Sequence, residues 1–204
     1  MILEKLSLWF WQYYSKVAIK LFFRKFEKIE LGASIRRDRT ILMISNHTGW
    51  WDGFWNLHYI RFTLKRPFNV AVAEKVIVEQ PFFKYLGFIS LGKTQAQLRR
   101  AIQTLSSILK QKDNLLLIYP QGKLTSTYCD SFKFGPLAER LLSKSEAQLC
   151  MAAYFVEYGK SPRPTICGYY KSINFEDIRD ITIEKLYDRF YNEALNKQID
   201  KFSE

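Results

Sequence analysis

Ile41-Leu42-Met43-Ile44-Ser45-Asn46-His47-Thr48-Gly49-Trp50-Trp51-Asp52-Gly53 reads as a buried strand that ends in turn formers and gives way to a helix. A histidine stands where the strand stops. Five positions separate His47 from Asp52, so on one regular helix they would point about 140° apart and share no face. They meet only when His47 lies in the loop before the helix and Asp52 in its first turns. That arrangement suits a general base. A carboxylate on one imidazole nitrogen fixes the tautomer, and the other nitrogen is left to take a proton from a hydroxyl. The plainer alternative is a strand-end histidine beside a helix-capping aspartate, and the rest of the chain has to choose between them.

Outward from this stretch, strands and helices alternate. Ile29 to Ser34 is expected as a short edge strand, Arg36 to Arg39 as a charged turn and Thr40 to Ser45 as the strand that delivers His47. A helix follows from about Trp51 to Thr63. Asn69 to Ala73 reads as a buried strand, Glu74 to Tyr85 as helical pieces broken at Pro81, and Phe88 to Leu91 as an apolar segment. The spacing of Leu98, Ile102, Leu105 and Leu109 predicts a long amphipathic helix over Gln95 to Lys112. Leu115 to Tyr119 is the most hydrophobic strand. Beyond the loop at 120 to 131 come a helix near Pro136 to Ser143, strands near Leu149 to Glu157 and Thr165 to Lys171, and a charged helix over Ile183 to Phe202. The pattern predicts an α/β layered domain with a largely parallel or mixed sheet flanked by helices, plus an N-terminal amphipathic helical segment. No Gly/Ser/Pro-rich linker divides the 204 residues, so residues 1–204 are read as one domain. Within it, 1–27 is the helical segment and 28–204 the α/β core.

Lys and Arg outnumber Asp and Glu by 31 to 20, a formal charge of +11 whose field attracts anions. Nucleic acid, an anionic bilayer, and coenzyme A or an acidic acyl-carrier protein all fit that charge. No zinc finger, recognition-helix motif or aromatic RNP pattern accompanies it, so nucleic acid is not expected as a partner. Cys129, Cys150 and Cys167 are widely spaced without a Cys-x-x-Cys pair, which suits a reduced compartment. The two histidines, His47 and His58, would lie about 16 Å apart on a helix, too far to hold one metal, and no metal site is expected.

The opening, Met1 to Glu27, places Leu6, Trp9, Phe10, Tyr13, Val17 and Leu21 at helical spacing among Lys5, Lys16, Lys20, Arg24 and Lys25. No run approaches the ~20 apolar residues that cross a bilayer, and the early Glu4 and lack of a small-residue cleavage site argue against a signal peptide. Two readings remain. The Trp9-Phe10-Trp11 cluster sits at headgroup depth while the lysines meet anionic lipid, or the aromatic stripe packs on the domain itself. The first implies a peripheral or monotopic protein on the cytoplasmic face of a membrane.

Sites in open α/β sheets gather beyond the carboxyl ends of strands, so the loops after Ile44, Leu91 and Tyr119 are expected near one another. All three carry suggestive residues. Asn46-His47-x4-Asp52 resembles the first motif of the glycerolipid acyltransferases, the family that includes lysophosphatidate acyltransferase. Gly87-Phe88-Ile89-Ser90-Leu91-Gly92-Lys93 resembles the second, with Lys93 where Arg is usual. Tyr119-Pro120-Gln121-Gly122-Lys123-Leu124-Thr125-Ser126 is similar to the third, usually Phe-Pro-Glu-Gly-Thr-Arg-Ser. Pro120 and Gly122 match. Gln121 replaces a carboxylate by an amide that can still hydrogen-bond a hydroxyl, and Leu124 stands where the Arg thought to grip a phosphate is usual. Phe132-Lys133-Phe134-Gly135 resembles the Phe-Lys-x-Gly stretch that commonly follows. The resemblance covers roughly residues 40 to 160, in order, each cluster after a strand.

The resemblance implies an O-acyltransferase that moves a fatty acyl group from acyl-CoA or acyl-carrier protein to a lyso-lipid hydroxyl, such as that of 1-acylglycerol-3-phosphate. It assigns proton removal to His47 and its orientation to Asp52, anion binding to Lys93, Lys123 and Lys133, and acceptor binding to the Pro120-Gln121-Gly122 turn. Asn46 and Gly49 are read as structural support of the site, with Asn46 bracing the loop, and backbone N–H groups near Gly49 or at the helix start as candidates for the oxyanion. No cofactor is called for. Leu124 leaves two possibilities: Lys123 grips the phosphate from the next position, or the acceptor is a lyso-aminolipid, glycolipid or pigment hydroxyl. A non-catalytic basic protein that binds membrane or nucleic acid is the alternative from another class.

Overall fold

The computed structural model describes residues 2–32, 35–36, 38–126, 129, 131–174, 178 and 181–203, with the side chains of 2–5, 7, 8, 11, 12 and 15 left aside. The parts of the expected edge strand and charged turn at residues 33, 34 and 37, and the side chains of Lys5 and Trp11, therefore lie outside the described residues. Helix α1 spans Ile2–Phe22 and strand β1 Lys25–Glu30. The helix thus stops five residues short of the expected Glu27, and the edge strand starts four residues before the expected Ile29. The cause is non-local. Arg24 N–H donates to Pro164 O, and β1 then pairs in parallel with a strand 140 positions further on, a pairing that overrides helical periodicity.

Strand β2 (Ile41–Ser45) is buried at every position and leads to helix α2 (Asp52–His58). The α-helical pattern does not continue to Thr63: residues Tyr59–Thr63 form a π-helical turn instead. Strand β3 (Asn69–Val72), helix α3 (Glu74–Glu79) and a 3-10 turn (Pro81–Leu86) follow, then strand β4 (Phe88–Ser90) and helix α4 (Gln95–Leu109). Thr94 and Gln97 close a reciprocal capping box at the start of α4. The chain ends in strand β5 (Leu115–Ile118), helix α5 (Leu137–Leu142), strands β6 (Gln148–Glu157) and β7 (Thr165–Ile173), and helix α6 (Ile183–Phe202).

The seven strands form one sheet in the order β1-β7-β6-β2-β5-β3-β4. Every pairing is parallel except β6 with β7. Side chains of alternating residues divide the core in two. Ile41, Met43, Leu115 and Leu117 face the layer built by α1, α2 and the π-helical turn, and Leu42, Ile44, Leu116 and Ile118 face that of α4, α5 and α6. The antiparallel step decides where α1 lies. Thr165 at the start of β7 pairs with Glu157 at the end of β6, and Lys25 at the start of β1 pairs with Thr165. The chain therefore passes from α1 into the sheet at the edge where β2, β5 and β6 end. There α1 packs on α2 and on the 3-10 turn.

Candidate active site

β2 and β5 are neighbours, so the loops that leave them at Asn46 and Tyr119 meet at the carboxyl edge of the sheet. Two backbone-anchored bonds join them. His47 N–H donates to Gln121 Oε1 at 2.8 Å, and Thr125 N–H donates to His47 O at 2.9 Å. Gln121 Nε2 also donates to Thr125 Oγ1 at 2.6 Å. Both ends of the Gln121 amide thus brace the loop that carries His47. The turn closes through Gly122 N–H to Tyr119 O, with φ +67° at Gly122, a left-handed value that glycine takes without strain.

His47 Nδ1 lies 3.0 Å from Asp52 Oδ2. His47 is in the loop and Asp52 is the first residue of α2. A carboxylate only accepts hydrogen bonds, so the contact selects the tautomer with the proton on Nδ1 and leaves Nε2 as the acceptor. The histidine side chain is 30 % exposed and that of Asp52 1 %. The carboxylate oxygen is shared: Thr48 N–H and Gly49 N–H donate to it at 2.6 and 2.9 Å. The Gly49 N–H thus supports Asp52, and of the candidate oxyanion donors it is one that is not offered to an oxyanion. Asn46 is buried, and its Oδ1 accepts from Tyr154 N–H at 3.4 Å, continuing the β2–β6 ladder one residue past its last backbone pair.

Tyr119, which opens the third motif, and two residues outside the motifs, Asn56 and Tyr154, complete the site. The Tyr119 ring stacks on the His47 imidazole with centroids 4.4 Å apart. Asn56, one turn beyond Asp52 and fully buried, donates from Nδ2 to Asp52 O, Tyr119 OH and Ser45 Oγ at 3.0, 3.2 and 3.3 Å. Its Oδ1 accepts from Tyr154 OH at 3.0 Å. The spacing i to i+4 from Asp52 to Asn56 is the only sequence signal for this group. Burial, followed by the nearby Asp52 charge, pushes the Tyr119 hydroxyl well above its usual range, so it stays a neutral phenol and does not compete with His47 as a base. Burial likewise pushes the Cys150 thiol up to about 12 and raises Cys167, which makes both poor nucleophiles.

The expected cations sit at different removes. Lys123 lies within the turn that braces His47 and is exposed. Lys133 is exposed on a stretch tied to that turn by Gly135 N–H to Pro120 O at 2.9 Å, and held from below by Glu184 and Asp188 of α6. Lys93 is exposed at the end of β4, on the same edge but three strand spacings from β2, about 14 Å. The second loop thus leaves the same carboxyl edge, two strands from β5. A cavity of about 960 Å³ lies elsewhere, at the opposite edge, where Arg39, Lys110, Lys144 and Glu146 surround the starts of β2 and β6. It holds no histidine. Among the described residues, no group of three or more His, Cys, Asp or Glu is placed to hold a metal ion.

A profile of the family described as Acyltransferase matches residues 28–149, more than half of the chain. The chain belongs to the acyltransferase family. Its fold is similar to that of the crystal structure of PlsC, a 1-acyl-sn-glycerophosphate acyltransferase from Thermotoga maritima. The TM-score is 0.59 at 15 % identity, with 97 % of this chain and 81 % of that one covered. No curated protein matches the chain. Membership makes this acyltransferase an enzyme and sets aside the reading as a non-catalytic basic protein. Its sheet is the mixed, helix-flanked α/β layer that the strand pattern predicts.

Proposed function

We propose that this acyltransferase moves a fatty acyl group from the thioester of coenzyme A or an acyl-carrier protein to a hydroxyl of a lyso-lipid, 1-acylglycerol-3-phosphate or a related lysophospholipid. The observation that carries the reading is the His47 Nδ1 to Asp52 Oδ2 contact of 3.0 Å in an imidazole that is 30 % exposed. Nε2 takes the proton of the lipid hydroxyl as its oxygen attacks the thioester carbon, the carbon–sulfur bond breaks, and the proton passes to the leaving thiolate. Asp52 holds the ring and stabilises the imidazolium between the two transfers. The nucleophile is the substrate's own oxygen, so the scheme needs neither a protein nucleophile nor a cofactor. With Thr48 and Gly49 N–H turned to Asp52, donors to the oxyanion come from other groups on the rim.

Lys123 and Lys133 bring positive charge to the turn beside His47, where it would meet the acceptor's phosphate, and Lys93 stands further along the same edge. The name of the T. maritima relative supports the phosphate acceptor. Leu124, 59 % exposed on the same turn, favours the second reading, a lyso-aminolipid, glycolipid or pigment hydroxyl, because it offers a phosphate nothing. A panel of lyso-lipids with one acyl donor separates the two.

The acceptor resides in a membrane, and α1 presents a surface suited to one. Leu6, Trp9, Phe10 and Tyr13 are exposed, Trp9 at 65 %, while Ala18, Ile19 and Phe23 at the other end are buried in the core. Tyr14 packs on Phe54 and Phe22 on Trp51, so the aromatic surface continues to the loop of the dyad, where Trp50 is 63 % exposed. No described helix is long and apolar enough to cross a membrane. A peripheral or monotopic seat on the cytoplasmic, anionic face fits these side chains and the net charge. Release of free thiol from acyl-CoA tests the chemistry directly. His47→Ala is expected to lower turnover by on the order of a hundredfold or more with an unchanged circular dichroism spectrum. An active His47→Ala enzyme removes the proposal.

A further inference from the structure

A hydrogen bond to Asp52 fixes one edge of the His47 ring but leaves it free to rock about that edge. The stack with Tyr119, 4.4 Å between centroids and 24° between planes, opposes that motion from one face. Tyr119 is itself held. Its hydroxyl accepts from Asn56 Nδ2, and the Asn56 amide is oriented from behind by a chain in which Tyr170 OH donates to Tyr154 OH and Tyr154 OH donates to Asn56 Oδ1. The Nδ2 group has two hydrogens for three acceptors, Asp52 O, Ser45 Oγ and Tyr119 OH. One buried amide therefore ties the strand that leads to His47, the helix that starts at Asp52, and the strand end that supplies the stacking ring.

We infer that Tyr119 is a positioning residue for acyl transfer: its ring clamps the His47 imidazole in the plane that meets Asp52, and Asn56 anchors the clamp. The inference rests on the general-base reading of His47. Tyr119 takes no proton in the reaction, since burial keeps it a neutral phenol, and it acts only through the orientation of the neighbouring ring. A base that rocks out of line is correctly aimed for a smaller fraction of encounters, which lowers kcat and leaves the affinity for substrate nearly unchanged.

The test compares Tyr119→Phe, which keeps the ring and removes the anchor, with Tyr119→Leu, which removes the ring. Thiol release gives kcat and KM, and the nitrogen-15 resonances of the His47 ring give its tautomer in the same proteins. For Tyr119→Phe, which loses the anchor and keeps the ring, the expectation is a loss of kcat of about threefold, smaller than that of the ring-free variant. For Tyr119→Leu it is a tenfold or greater loss of kcat, KM within twofold, and His47 nitrogen shifts moved from the single Nδ1–H tautomer toward an averaged pair. Should Tyr119→Leu fail to fold, Tyr119→Met fills the space with a flexible chain and is held to the same criteria. Parental kcat and an undisturbed tautomer in the ring-free variant overturn the inference, as does an equal loss in Tyr119→Phe. The His47→Ala control keeps the two claims apart: its activity decides the general-base reading, whereas the tautomer decides the clamp.

Discussion

Asp52 has two tasks that its substitutions separate. Its Oδ2 holds His47 and also satisfies the N–H groups of Thr48 and Gly49, so the loop depends on the oxygen and the proposed chemistry on the charge. Asp52→Asn keeps an oxygen of the same reach, and turnover is expected to fall by about a hundredfold with little change in melting temperature. Asp52→Ala removes the partner of two half-buried amide groups, at up to about 1–3 kcal/mol each, so it should lose stability as well. Comparable melting of the two variants would show that the loop does not lean on this carboxylate. The second histidine bears on stability. Burial first and Lys16 second hold His58 below its ordinary 6.5, so the unfolded chain takes up that proton more readily than the folded one. Stability from this group is complete above pH 6.5 and falls as the pH drops below it. Denaturant melts at pH 7.5 and 5.5 should show a larger acid loss in the parent than in His58→Phe, and equal losses would refute the assignment. His47 and Asp52 were legible because their spacing allows only one way of meeting. Tyr119 was legible only as a motif position; its stack on His47 and the amide hub of Asn56 were not, because they join elements 63 positions apart and leave no local pattern.

Between residues and fold, the legible elements were those with strong local periodicity. α4 appears at Gln95–Leu109 because its leucines repeat at helical spacing and Thr94 caps it. β1 was misplaced because an edge strand with mixed polarity is specified by its partner. The turns that set the strand ends answer to glycine in two different ways. Gly87 has φ +88°, and a Cβ there would lie 1.8 Å from Phe68 O, an overlap with backbone that neither strand can yield to. Gly122 has φ +67° with open space around it. Gly122→Ala is thus expected to cost only the left-handed strain of about 1–2 kcal/mol. Gly87→Ala should cost distinctly more, read as a larger drop in melting temperature, since each kcal/mol moves a domain of this size by about 2–4 °C. A reversed order would show that the β3–β4 margin gives way easily.

For the molecule as a whole, the membrane is best tested by substitution and not by truncation. Removing residues 1–27 would also take Ala18, Ile19 and Phe23 out of the core and half of β1 out of the sheet. The triple substitution Trp9→Ser, Phe10→Ser and Tyr13→Ser leaves those residues in place. It is expected to abolish sedimentation with anionic vesicles without lowering the melting temperature, and binding by the parent should weaken as salt shortens the ~10 Å screening length at 0.1 M. Unaltered sedimentation of the triple variant would put the anchor elsewhere. The reversal of direction between β6 and β7 has one more effect. Had β7 run the other way, α1 would have entered the sheet from the far rim, and the greasy helix and the imidazole would have looked out of opposite poles. A single antiparallel pairing gives the enzyme one working side, as the proposed chemistry requires if a lipid is to offer its alcohol while its tail stays among its neighbours.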